Sequence, residues 1–191
     1  MEQLTIGFAL CGSFCTFSQA LPALERLAAK HQVIPILSET AAATDTRFGG
    51  HEVHLERIQK AAGREPIRTI DQAEPIGPKK LLDALVVAPC TGNTLAKLAN
   101  GITDSVVTMA CKAHLRNARP LVLALATNDG LGANAQNIGQ LLVRRNIYFV
   151  PFGQDDPFGK QTSLVADFDQ VEATLDLALS GEQLQPILLK T

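Results

Sequence analysis

The segment from Asp83 to Gly101 constrains the fold more than any other part of the chain. Ala84 to Ala88 is a short, valine-rich apolar run, which is typical of a strand buried on both faces. Pro89 has no N–H to donate, so we expect the strand ladder to stop there. Cys90 to Asn93 form a small polar turn, and a helix follows that ends at Gly101. A strand, a tight turn and a helix start together predict a site for an anion or a polar ring edge.

Apolar runs alternate with helical patterns along the rest of the chain, which predicts a parallel sheet with helices on both faces. We therefore expect an α/β, three-layer, flavodoxin-like (Rossmann-like) fold, with residues 1–191 forming one domain. The segment from Pro151 to Lys160 contains glycines and Asp155-Asp156-Pro157, which predict a loop. The predicted strands are Thr5–Leu10, Val33–Leu37, Ala84–Ala88, Leu121–Ala126 and Ile147–Val150.

In such a sheet, ligands bind at the carboxyl ends of the strands. Four predicted turns, one after each of the first four predicted strands, meet that condition. All four are small, polar and poor in charge, which suits a phosphate held by backbone amides and hydroxyl groups. Any one of them is explained by ordinary turn and cap chemistry, but four on one rim favour a ligand site. The predicted cofactor-binding residues are Gly12, Ser13, Ser38, Thr40, Pro89, Cys90, Thr91, Asn93, Thr94, Thr127 and Asn128.

Several classes of ligand and location are disfavoured by the sequence. Neither a Gly-x-Gly-x-x-Gly nor a Gly-x-x-x-x-Gly-Lys-Ser/Thr motif is present, which disfavours NAD and ATP and leaves a mononucleotide. The net charge is −2 without a basic run, so nucleic-acid binding is disfavoured. No long apolar stretch and no basic leader are present, which predicts a cytoplasmic protein. The four cysteines are predicted to be free thiols rather than metal ligands.

The turn from Pro89 to Thr94, Pro-Cys-Thr-Gly-Asn-Thr, resembles the Pro-Ala-Ser-Ala-Asn-Thr motif of the flavin-containing cysteine decarboxylase family. Ala96 to Ile102 and Asp104 continue the resemblance, and Gly12-Ser13 is similar to that family's first phosphate turn. The resemblance spans most of the chain from Thr5 to Val150. It implies FMN as the cofactor, bound at a subunit contact, and a homo-oligomer that is a trimer or a dodecamer.

Two departures from the decarboxylase pattern bear on the reaction. The decarboxylases carry a His-x-x-Leu segment before the motif strand, whereas Glu74 to Leu81 contains no histidine. Their Pro-x-Met-Asn clamp is represented here only by Ala126-Thr127-Asn128. These departures disfavour cysteine decarboxylation and leave the expectation of flavin binding unchanged.

A second resemblance runs nearly end to end, to the family formed by the B subunits of dipicolinate synthases in spore-forming bacteria. It implies oxidation of dihydrodipicolinate to dipicolinate in the mother cell during sporulation. The partner that it implies is the A subunit of dipicolinate synthase, which carries a nicotinamide-type Rossmann fold. The segments that carry the resemblance are Thr46–Gly49, Ala73–Lys79, Thr127–Gly132, Pro151–Phe158 and Leu184–Leu188.

Under this reading a base accepts a proton, and His54 and Glu74 are the candidate catalytic residues. His54 lies three residues after His51 on a predicted helix, a spacing more often found on a surface, and no carboxylate pattern makes the pair a metal site. The carboxylates of the substrate would be bound by lysine or arginine side chains. Each candidate, taken singly, is also explained as an ordinary solvated charge on the surface. The predicted substrate-binding residues are Arg47, Lys79, Lys80 and Lys160.

Three functions are compatible with the sequence. The favoured one is an FMN-binding subunit of dipicolinate synthase. The alternatives are an FMN-dependent decarboxylase of a small carboxylate and a non-catalytic partner that retains a vestigial site.

Overall fold

The computed structural model describes residues 3–190, which form seven strands and eight α-helices within that range. The strands are β1 Thr5–Leu10, β2 Gln32–Leu37, β3 Ala84–Cys90, β4 Leu121–Thr127, β5 Ile147–Phe149, β6 Phe152–Asp156 and β7 Lys160–Ala166. The helices are α1 Phe17–Ala28, α2 Glu39–Ala43, α3 His51–Ala62, α4 Ile70–Ala73, α5 Gly92–Ala99, α6 Val106–Leu115, α7 Ala135–Leu142 and α8 Val171–Leu179. Short 3-10 turns span Phe14–Thr16, Glu74–Ile76 and Phe168–Gln170.

The strands form one sheet in the order β2-β1-β3-β4-β7-β6, and β5 pairs with the first half of β4. Strands β1 to β5 are parallel, in the flavodoxin-like order 2-1-3-4-5, so the predicted fold class is confirmed. Every residue of β3 is buried, because helices cover both faces of the sheet. Helices α1 and α8 pack on one face, and α5, α6 and α7 pack on the other.

The prediction of a loop from Pro151 to Lys160 was wrong, because β6 and β7 form an antiparallel hairpin there. Strand β7 also pairs with Ala126 and Thr127 at the end of β4, so the hairpin extends the sheet beyond its parallel part. The sequence of β6, Phe-Gly-Gln-Asp-Asp, lacks the apolar alternation that indicates a strand. Strand β3 also continues to Cys90 through a shift of register after Val87, so its ladder does not stop at Pro89 as expected.

Side-chain caps fix the starts of the helices that follow β3. Thr91 caps α5 by accepting a hydrogen bond from the amide of Thr94. Ser105 caps α6 in a reciprocal capping box with Thr108. These caps set the point at which each turn leaves the carboxyl edge of the sheet.

His114, in the last turn of α6, is a fully buried titratable residue of the core. Its Nε2 lies 2.9 Å from the carbonyl oxygen of Pro120, and its Nδ1 has no hydrogen-bond partner among residues 3–190. Burial lowers the pKa of His114 below its ordinary value of 6.5, because the charged ring would lose its hydration. The folded protein therefore holds this ring neutral.

We predict that His114→Gln reduces the acid sensitivity of folding. The pKa of His114 is lower in the folded chain than in the unfolded chain, so its contribution to stability is present above pH 6.5 and is lost as pH falls below it. Urea unfolding at about pH 7.5 and about pH 5.5 measures this loss. Wild type should lose more stability than His114→Gln between the two conditions. Equal losses in the two proteins would contradict the assignment.

Candidate functional site

A cavity of about 720 Å³ opens at the carboxyl ends of β1, β3 and β4. Parallel strands bring these ends to one edge of the sheet, and the turn after each strand supplies part of the lining. The hairpin formed by β6 and β7 closes one side. The lining residues used below are Gly12, Ser13, Cys15, Phe48, Thr91, Gly92, Asn93, Thr127, Asn128, Asp129, Asn134, Asp155 and Lys160.

The turn after β1 is joined to the end of β3 by a backbone hydrogen bond, in which the amide of Cys11 donates to the carbonyl of Pro89 over 3.2 Å. Gly12 follows in a confined position, because a Cβ there would lie 2.9 Å from Cγ2 of Thr40. Ser13 comes next and lines the cavity. The absence of a side chain at Gly12 therefore lets this turn pack closely against Thr40.

The turn after β3 divides into a buried part and an exposed part. Thr94 is buried, and its hydroxyl donates to the sulfur of Cys11 over 3.3 Å. Burial raises the pKa of Cys11 to about 11, so its thiol stays protonated. Thr91 and Asn93 line the cavity beside the start of α5. This start leaves the amides of Gly92 and Asn93 without an intrahelical acceptor.

The turn after β4 holds a hydrogen-bonded network that our sequence analysis did not identify. The hydroxyl of Thr127 donates to Oδ1 of Asp129. Nδ2 of Asn134 lies 2.8 Å from both carboxylate oxygens of Asp129, and Asn137 donates to Asn134 over 2.9 Å. The hydrogen bond from Thr127, followed by that from Asn134, lowers the pKa of Asp129 and keeps it ionised. In the sequence, Asn128-Asp129-Gly130 has the composition of an ordinary turn, and Asn134 is five residues away.

Gly92, the first residue of α5, packs directly against this network. A Cβ on Gly92 would lie 2.5 Å from Oγ1 of Thr127, 2.6 Å from Nδ2 of Asn134 and 2.9 Å from Oδ1 of Asp129. Cβ atoms do not approach other atoms so closely in real structures. The turn after β3 and the turn after β4 therefore meet only because residue 92 is glycine.

The hairpin places an ion pair at the side of the cavity. Nζ of Lys160 lies 2.6 Å from Oδ2 of Asp155, and this hydrogen bond raises the pKa of Lys160. The pair is solvent-exposed, so Lys160 can exchange Asp155 for another anion at little cost.

The structure brings about half of the predicted site residues to the cavity. Ser38 instead caps α2 by accepting from the amide of Ala41, and Thr40 contacts the turn after β1 from outside. Pro89, Cys90 and Thr94 are buried beneath the cavity rather than lining it. The predicted residues that line it are Gly12, Ser13, Thr91, Asn93, Thr127, Asn128 and Lys160.

The other predicted cations do not line the cavity. Arg47 is exposed between two lining residues, with its guanidinium 4.8 Å from the ring centre of Phe48. Lys79 and Lys80 precede β3 at the opposite, amino-terminal edge of the sheet, where the carbonyl of Lys80 accepts from Arg119. The structure therefore separates them from the cavity by the length of a strand.

Neither candidate base lines the cavity. His54 packs edge-on against Phe17, with 5.0 Å between ring centres, and borders a neighbouring hollow of about 200 Å³. Burial is the main cause of the lowered pKa of His54, and its Nε2 has no hydrogen-bond partner in the part of the chain that the structure describes. Glu74 is exposed on the 3-10 turn that precedes the amino end of β3.

A flavodoxin-like sheet with a cavity bounded by these polar turns defines the class of protein, and the chain belongs to the Flavoprotein family, whose model matches residues 1–174. It is 47% identical over 186 residues to the B subunit of dipicolinate synthase from Bacillus subtilis (strain 168), with 97% of this chain and 93% of the relative covered. The predicted resemblance to both families is therefore confirmed.

Solved structures agree with this assignment. The B subunit of dipicolinate synthase from Bacillus halodurans C superposes with a TM-score of 0.90 at 43% identity, covering 98% of this chain and 97% of that one. The FMN-dependent cysteine decarboxylase SpaF superposes with a TM-score of 0.67 at 21% identity, covering 93% and 98%, and shows the same fold. Across residues 3–190, every helix is too short or too polar to cross a membrane.

We predict that Gly92→Ala destabilises the protein by roughly 1–3 kcal/mol, because the new methyl group overlaps Thr127 and Asn134. Gly139→Ala is the matched control, since Gly139 lies inside α7 and a Cβ there meets nothing within 4 Å. It should stabilise by about 0.5–1 kcal/mol through helix propensity alone. Urea unfolding midpoints measure both changes. A stabilising Gly92→Ala would refute the described contact.

Proposed function

We propose that this chain binds FMN in the cavity and serves as the flavoprotein subunit of a dipicolinate synthase. In this role it works with the A subunit of that enzyme in the oxidation of dihydrodipicolinate to dipicolinate. The observation that carries the proposal is that the turns after β1, β3 and β4 converge on one cavity in a chain with 47% identity to a B subunit. The FMN dependence of SpaF, which shares the fold, supports the choice of cofactor.

The lining residues fit a phosphorylated, largely uncharged ring system. The cavity volume of about 720 Å³ is that of an ordinary ligand site. The turn at Gly12 and the hydroxyl of Ser13 suit a phosphate at one end of the cavity. FMN, when bound, supplies a ring that accepts a hydride from a reduced substrate.

The residues of this chain then have to hold a substrate with two carboxylates. Lys160 is the predicted cation that lines the cavity, and Arg47 lies beside its mouth. Both are solvent-exposed, so a dicarboxylate reaches them without burying a charge. Lys79, Lys80, His54 and Glu74 lie elsewhere, and their roles in substrate binding and proton transfer are not supported by this geometry.

The oligomer and the location of the protein are part of the same proposal. We expect a homo-oligomer, either a trimer or a dodecamer, in the cytoplasm of the mother cell of a spore-forming bacterium. The exposed side chains of Phe48 and Leu131, near the cavity, are compatible with a subunit contact there.

The proposal predicts that the purified protein binds FMN and that dihydrodipicolinate bleaches the bound flavin in the absence of oxygen. Absorbance spectra of the protein with added FMN, before and after anaerobic addition of dihydrodipicolinate, measure both events. Carbon dioxide is assayed in the same samples, because its release would indicate a decarboxylase. The A subunit, supplied with an oxidised nicotinamide nucleotide as the electron acceptor, should then restore the oxidised spectrum or raise the rate of dipicolinate formation.

Two results would contradict the proposal at different points. A protein whose spectrum shows no bound flavin at any FMN concentration is not a flavoprotein. A protein that binds FMN, is not bleached by dihydrodipicolinate and leaves the activity of the A subunit unchanged has no part in the oxidation.

A further inference from the structure

Asp129 places a negative charge on the cavity wall. Its side chain is partly buried, and its neighbours in the network are the uncharged Thr127 and Asn134. Among residues 3–190, no lysine, arginine or histidine forms an ion pair with it. Hydrogen bonds from Thr127 and Asn134 stabilise the ionised carboxylate, so a negative charge with no cation paired to it in these residues lies on the cavity wall.

The two oxygens of Asp129 are not equally occupied. Oδ1 accepts hydrogen bonds from both Thr127 and Asn134, whereas Oδ2 accepts from Asn134 alone. A carboxylate oxygen has two lone-pair directions, so Oδ2 keeps the capacity to accept another hydrogen. Because Asp129 lines the cavity, a bound ligand can supply that hydrogen.

The network also removes donors from this wall. Oγ1 of Thr127 and Nδ2 of Asn134 both donate to Asp129, so these two groups are engaged and do not face a ligand as free donors. The same carboxylate lies against Gly92, where a Cβ would be 2.9 Å from Oδ1, so negative charge already occupies the start of α5. An anionic group of a ligand is repelled here and favoured at the Gly12-Ser13 turn.

We infer that Asp129 accepts a hydrogen bond from the ring N–H of the isoalloxazine and thereby fixes the direction in which the cofactor enters the cavity. Oxidised flavin has one ring N–H, at N3, and its other polar ring atoms are acceptors. The phosphate then lies at the turn after β1, and the N–H edge lies at the turn after β4. This inference rests on the proposed function, because it requires that FMN binds.

Asp129→Asn tests the inference with little change in shape. Thr127 and Asn134 both donate to Oδ1, so the new side chain keeps its oxygen there and places its NH2 group where Oδ2 was, at the loss of the hydrogen bond from Asn134 to Oδ2. The wall then presents a donor to the N3–H instead of an acceptor. Asp176→Asn is the matched control, since Asp176 is exposed on α8 and lies outside the cavity.

The experiment measures the dissociation constants of FMN and of N3-methyl-FMN by fluorescence titration of wild type, Asp129→Asn and Asp176→Asn. In wild type and in the control, we expect the methyl group to weaken binding about 10-fold or more, since a hydrogen bond to a charged acceptor is lost. In Asp129→Asn, FMN should bind about 10-fold more weakly than in wild type, and methylation should have little further effect.

The outcomes separate this inference from the proposed function. If wild type binds FMN and N3-methyl-FMN equally well, Asp129 does not accept the ring N–H. If methylation weakens binding to wild type and Asp129→Asn by the same factor, another group accepts it, and the inference is likewise overturned. If wild type binds neither compound, the proposed function fails as well. Urea unfolding of Asp129→Asn checks that a weaker affinity does not come from an unfolded protein.

Discussion

The parallel pairing of β1, β3 and β4 is the constraint on which the site depends. The registers that pair Gly7 with Leu85 and Val87 with Leu123 bring the three carboxyl ends to one edge of the sheet. The amide of Cys11 then donates to the carbonyl of Pro89 and holds the first two turns together. A change of register by one residue would turn buried side chains to the opposite face and separate these turns.

The contact between Gly92 and the network around Asp129 joins the second turn to the third. Because residue 92 has no side chain, the start of α5 and the carboxylate of Asp129 can lie side by side. The cavity therefore differs from end to end: the side of Gly12 and Ser13 offers a close backbone and a hydroxyl, and the side of Asp129 offers acceptors and negative charge. Such an asymmetry suits a ligand that is anionic at one end and carries an N–H at the other.

Local patterns predicted the parts of the fold that local forces determine. Strand β1 has the predicted bounds, because the apolar run that forms it is a local pattern of a few positions. The hairpin of β6 and β7 was missed because its polar residues form a strand only by pairing with each other and with the end of β4.

The site was predicted in part for the same reason. Turn residues such as Ser13, Thr91 and Asn128 follow strands directly, so the sheet topology alone brings them together. Lys79 looked favourable because it precedes the motif strand, but a residue before a parallel strand lies at the edge opposite the cavity. Asp129 and Asn134 act through side-chain contacts across a turn, and composition does not reveal such contacts.

The central claim is that a single FMN molecule spans the cavity. Its phosphate lies at the turn after β1, and the N–H edge of its ring lies at the turn after β4. A crystal structure of the protein grown with FMN measures this most directly. The account predicts the phosphate within hydrogen-bond distance of Ser13 and the N3 atom within hydrogen-bond distance of Oδ2 of Asp129. FMN in the reverse direction, with its phosphate beside Asp129, or FMN bound outside this cavity, would contradict it.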